Sequence, residues 1–137
     1  MTFYHFTSET HLPLILRSGV IMPTESNVSF SREHGGPRVV WLLDSPELGE
    51  LSHGLHSVVD KTAVTIEVDV PAIRWRDWEF AARMEPRWRQ SFIDAGGGDE
   101  AADRWFILPA PIRESRWVTI TAPDTSHDLL VEAGWAK

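Results

Sequence analysis

Residues 3–21 read FYHFTSETHLPLILRSGVI, and the fold turns on how they are read. Thr2–Phe6 is rich in aromatic residues, which suit a pleated, half-buried surface, so it is expected to form a strand. Ser8 offers a side-chain oxygen as an N-cap. Leu12, Ile15 and Leu16 then recur at helical spacing, and Gly19 stands where a C′ residue turns left-handed. Pro13 falls near the start of that helix, where a missing N–H does least harm. A strand thus runs into a short capped helix, with His5 on the strand between two aromatic residues. An imidazole so placed either offers a donor and an acceptor to a cleft or stands idle on the surface.

Outward from this stretch, Val20–Met22 reads as a short strand or extended chain, and residues 23–37 as a long polar loop ending in EHGGP. RVVWLL (38–43) is an apolar run of strand length. DSPELGELSHGL follows it, with Ser45 as N-cap, Pro46 at the first helical position and Leu48, Leu51 and Leu55 on one face. TAVTIEVDV (62–70) alternates strictly, with Val64, Ile66, Val68 and Val70 inward. Residues 71–98 are expected to be helical in two pieces, broken near Pro86, the second placing Trp88, Phe92 and Ala95 on one side. RWFILPAPI and SRWVTITAP read as two final strands. The alternation of strands and helices predicts one mixed α+β domain over residues 1–123, with residues 124–137 as a loosely attached tail.

A chain of 137 residues suffices for one domain with a real core, about two thirds of the unfolded surface being buried at this length. There is no cysteine, which removes disulfides, zinc–thiolate sites and cysteine nucleophiles together. No apolar run approaches the roughly 18 residues that span a bilayer, and the first residues, lacking a basic stretch before an apolar one, do not read as a signal peptide. A soluble, cytoplasmic protein without membrane contact is expected. The net charge of −7 disfavours broad binding to nucleic acid, which needs surplus Lys and Arg on one face. Seven tryptophans imply that some line a pocket or an interface.

P-loop, GxGxxG, HExxH, GxSxG and CxxC motifs are all absent. His53 and His56 would share a helix face, but no carboxylate partners them at a metal-binding spacing, and no metal is expected. His34 reads as a turn residue. IRWRDWEFAARMEPRWRQ (73–90) gathers five arginines and three tryptophans. They could grip a nucleotide, or the tryptophans could pack inward while Asp77, Glu79 and Glu85 pair with the arginines.

The phrase carrying Tyr4, His5, Phe6, Thr7, Leu12, Ile15, Leu16 and Gly19 resembles the first motif of the ADP-ribosyltransferase superfamily, in particular its small bacterial and phage members. VVWLLDSPE (39–47) is similar to the family's second core strand, and DRWFILPAPIRESRWVTI (103–120) to its later glutamate-bearing strand. The resemblance implies an α+β fold: a compact mixed domain whose split, mainly antiparallel β core is flanked by short helices. It implies NAD as substrate, with His5 hydrogen-bonding the adenosine ribose, neighbouring backbone groups of Tyr4, Phe6 and Thr7 holding the nicotinamide amide, Trp41 and Ser45 edging the cleft, and His53 near the ring. The family's glutamate aligns with Trp105 here. The nearest acids are Asp103, Glu100 and Glu114, so Asp103 or Glu114 would supply the catalytic carboxylate.

Two functions follow from the resemblance. One is transfer of ADP-ribose from NAD to a protein or nucleic-acid acceptor. The other is a non-catalytic module that captures a nucleotide-derived ligand or a partner protein, as a phage or accessory inhibitor would, using the same cleft or the Trp/Arg-rich segment.

Overall fold

The computed structural model describes residues 1–26, 28, 35–47 and 61–137. The first segment folds as its pattern predicts. β1 (Thr2–Thr7) leads to α1 (Leu12–Ser18), and Gly19 closes the helix at φ 70° with its N–H donating to the Ile15 carbonyl at 2.8 Å. Ser8 lies one turn too early to cap the helix. The cap position is His11, and the buried Ser8 holds the preceding turn, its carbonyl accepting from the His11 and Leu12 N–H groups and its Oγ meeting His11 Nδ1 at 2.8 Å.

β2 (Val20–Ile21) follows at once, and β3 (Thr24–Glu25) occupies the start of what reads as loop. β3 pairs antiparallel with β4 (Arg38–Leu43) in the register Thr24↔Val39 and Glu25↔Arg38. The helix expected over Leu48–Leu55 lies outside the described residues. β5 (Val64–Asp69) buries Val64, Ile66 and Val68 completely, as its alternation requires. The stretch expected to be helical from residue 71 begins instead with β6 (Ile73–Arg74) and a 3-10 turn at Trp75–Asp77. The one-turn helix α2 (Glu79–Ala82) then precedes α3 (Pro86–Ala95). Glu85 caps α3, its carboxylate accepting from the Arg87 and Trp88 N–H groups, and Pro86 takes the first turn. After α4 (Asp99–Ala102) come β7 (Trp105–Leu108), β8 (Ile112–Arg113), β9 (Trp117–Thr121) and α5 (His127–Glu132).

The main sheet runs β6-β7-β4-β1-β5-β9, with β3 on β4, and β2 pairs separately with β8. Every described pairing is antiparallel. β1 pairs with β5 without interruption from Thr2↔Asp69 to Thr7↔Val64, but it meets β4 at Tyr4↔Leu43 alone. The sheet therefore splits along the β1/β4 seam. Two cores result. One, under β1, β5 and β9, contains Phe3, Val64, Ile66, Val68 and Ile120; the other, under β7 and the helices, contains Trp75, Ala81, Ile93, Trp105 and Ile107. β4 belongs to both, sending Val40 and Leu42 to the first and Val39 and Leu43 to the second, which is why its sequence is apolar throughout rather than alternating.

Residues 124–137, expected as a loose tail, are docked. Leu130 is buried in the first core, Trp135 packs on Trp117 at 5.7 Å, and the Glu9 carboxylate accepts from the hydroxyls of Thr125 and Ser126. Leu130 is joined on this core by Leu129, Trp135 and Ala136, clustered too closely in sequence to produce an extended helical pattern. Among the described residues no helix is long and apolar enough to cross a membrane.

Candidate functional site

A hollow of about 970 Å³ opens along the split between β1 and β4. Tyr4, His5, Phe6 and Thr7 of β1 and Trp41 of β4 line it, five of the residues expected there. His5 bridges the seam: its ring Nδ1 lies 3.0 Å from the Trp41 carbonyl oxygen. A carbonyl can only accept, so Nδ1 carries the hydrogen. Burial pushes the imidazole below its ordinary value of 6.5, and the Trp41 bond, which favours the protonated ring, opposes this only in part. The ring is therefore neutral at pH 7, with Nε2 left as an acceptor.

That assignment has a sign. The unfolded histidine takes up a proton near 6.5 while the folded one does not, so stability is full above 6.5 and is lost as pH falls toward the lowered folded value. Chemical denaturation between pH 7.5 and 5 should show the wild-type protein losing stability below 6.5 more steeply than His5→Gln. Parallel curves for the two proteins would refute the assignment.

The second wall is aromatic. Trp41 meets Trp105 edge-on at 6.0 Å and Phe92 at 6.2 Å, and Trp105 meets Phe92 at 5.7 Å. Phe92 and Trp105 also line the hollow. Gly96 at the end of α3 lets the indole in, because a Cβ there would lie 2.6 Å from Cη2 of Trp105. Behind this wall Trp75 stacks on Phe92 at 5.7 Å and touches Trp105 edge-on at 5.1 Å.

The expected carboxylates are elsewhere. Asp103 does not line the hollow; its side chain takes the Arg76 Nε at 2.7 Å and lies 4.0 Å from Arg74. The alternation that would place it on the face of Trp105 does not reach it, because Asp103 closes α4 in helical conformation and β7 begins at Trp105. Glu114 opens a 3-10 turn beside Gly19, whose carbonyl accepts its N–H at 2.9 Å, and it too is absent from the lining. Ser45 does not edge the hollow: its Oγ accepts from the Glu47 N–H in a turn that Arg104 clasps through Asp44 and the Glu47 carbonyl. His53, like His34 and His56, lies outside the described residues.

The one carboxylate among the described lining residues is Glu25, at the exposed edge strand β3. Two cations, Arg17 and Lys61, line the hollow as well. Sequence reasoning missed these three because each follows from where a short element docks, not from its own pattern. The Trp/Arg-rich segment takes its inward form: Trp75 and Trp78 are buried, Arg83 reaches Glu79 at 3.5 Å, and Arg76 binds Asp99 and Asp103. Among the described residues no group of three or more His, Asp or Glu is placed to hold a metal ion.

No protein-family model matches the chain, and neither does any curated protein or solved structure.

Proposed function

We propose that this chain is an ADP-ribosyltransferase-like protein that binds NAD, or a nucleotide related to it, in the hollow of the split sheet. The observation that carries the reading is the His5 ring, fixed in one tautomer by the Trp41 carbonyl and lining the hollow. Its free Nε2 suits a ribose hydroxyl, which has a proton to donate. The Trp41, Phe92 and Trp105 wall suits a flat heteroaromatic ring, and the volume lies at the upper end of ligand pockets.

A second reading, transfer of ADP-ribose to a protein or nucleic-acid acceptor, is favoured by one observation: Glu25 lines the same hollow. In that reaction the bond between ribose C1′ and the pyridinium nitrogen breaks and nicotinamide leaves with the electron pair. The acceptor forms the new bond to C1′ and gives up its proton. Glu25, rather than Asp103 or Glu114, would face the developing ribosyl cation and stabilise it by charge.

Calorimetric titration with NAD and an assay of nicotinamide release test both. Saturable NAD binding that weakens roughly tenfold in His5→Ala, about the worth of one well-formed hydrogen bond, supports the cleft. Release of nicotinamide that Glu25→Gln abolishes and Asp103→Asn leaves intact supports transfer. Binding without release leaves a binding module, and absence of NAD binding by the wild-type protein sinks the reading.

A further inference from the structure

Arg17 and Lys61 stand out because this is an acidic protein, net charge −7, and among the described residues the hollow is lined by two such cations against one carboxylate, Glu25. Several cations near the second core are paired: Arg74 and Arg76 with Asp103, Arg76 also with Asp99, Arg83 with Glu79, and Arg104 with Asp44. Among the described residues Arg17 and Lys61 take part in no ion pair and no side-chain hydrogen bond. Arg17 does occupy the last turn of α1, where a cation suits the helix dipole. That accounts neither for its place in the wall of the hollow nor for Lys61, which lies in the turn before β5.

The strand order supplies the geometry. Across the sheet, Trp105 stands on β7, Trp41 on β4 and His5 on β1, and Lys61 precedes β5, whose first residue Val64 pairs with Thr7. In strand order Lys61 and the aromatic wall thus flank the hydrogen-bonding His5, and Arg17 lines the same hollow from the last turn of α1.

We infer that Arg17 and Lys61 form an anion subsite that receives the phosphates of the bound ligand, the aromatic wall taking its ring. The inference rests on the reading of the hollow as a nucleotide site and specifies which nucleotides it prefers: those with a phosphate or diphosphate beyond the ribose. Guanidinium and ammonium groups bind phosphate by charge-assisted hydrogen bonds, so the preference is for charge rather than for a particular base.

The test compares NAD with nicotinamide riboside, which keeps the ring and one ribose but has no phosphate. In the Arg17→Ala/Lys61→Ala double variant, NAD affinity should fall on the order of tenfold or more, and its salt dependence should flatten. Riboside affinity should stay within about twofold, because no charge-assisted bond to it is removed. Arg17→Lys should recover part of the NAD affinity. Both side chains are exposed, so circular dichroism should show the fold unchanged. Unchanged NAD binding in the double variant, or an equal loss for both ligands, overturns the subsite and leaves the cleft reading standing. A wild-type protein that binds neither compound overturns the cleft reading itself, and the subsite with it.

Discussion

Trp75→Ala should lower the free energy of unfolding by about 3–5 kcal/mol, a large share of the roughly 5–15 kcal/mol that holds a domain of this size together. Trp75 is completely buried and is the largest such side chain. Phe92 stacks on it at 5.7 Å, Trp105 meets it edge-on at 5.1 Å, and the Arg89 guanidinium lies 5.5 Å from its ring. An alanine would leave a void that none of these rings can fill without leaving its own contacts. Because Phe92 and Trp105 also line the hollow, the same change should weaken NAD binding although Trp75 does not line it. Trp75→Phe separates packing from polarity. The indole Nε1 is buried without a hydrogen-bond partner, so removing that N–H recovers some of what the smaller ring loses. Urea titrations followed by far-ultraviolet circular dichroism should place Trp75→Phe well above Trp75→Ala. Equal stabilities for the two would show that the ring's volume does not matter there.

The parts of this fold that are legible in the sequence are those with strong local periodicity. β1 with α1, and β5, follow directly from aromatic clustering, helical spacing and strict alternation. β4 reads correctly as a strand for the opposite reason: an unbroken apolar run marks a strand shared by two cores. The elements that escaped are two-residue strands and single helical turns. β3, β6 and β8 exist because a neighbouring strand presents a free edge, and no residue pattern of that length can announce it. The site divides the same way. His5 and Trp41 come together because each lies on a well-patterned strand and the two strands part at Tyr4↔Leu43. Asp103, two residues before Trp105, lies outside β7, in a turn where helical backbone carries its side chain to Arg76.

Gly36→Ala is expected to cost about 2–4 kcal/mol, combining a backbone penalty with a main-chain collision. Gly36 has φ 78°, a conformation that disfavours any Cβ. An added Cβ would also strike the Val28 carbonyl oxygen and lie 2.5 Å from the carbonyl carbon. Main chain cannot swing aside as a flexible side chain can, and Val28 is itself wholly buried. The Ser26 N–H donates to the Pro37 carbonyl at 3.1 Å beside this contact, so relief would have to come from shifting the pairing of β3 with β4. That pairing carries Thr24 and Glu25 to the hollow. Gly134→Ala supplies the control: Gly134 has φ 84° but nothing within 4 Å of its would-be Cβ, so it bears the backbone penalty alone, about 1–2 kcal/mol. The difference between the two substitutions measures the Val28 collision. Gly36→Ala should also weaken NAD binding, whereas Gly134→Ala should not. If the two variants proved equally stable, the collision would be refuted. If Gly36→Ala destabilised the protein while NAD affinity held, the β3 edge could move without disturbing the ligand, and Glu25 would lose its claim to a role in the hollow.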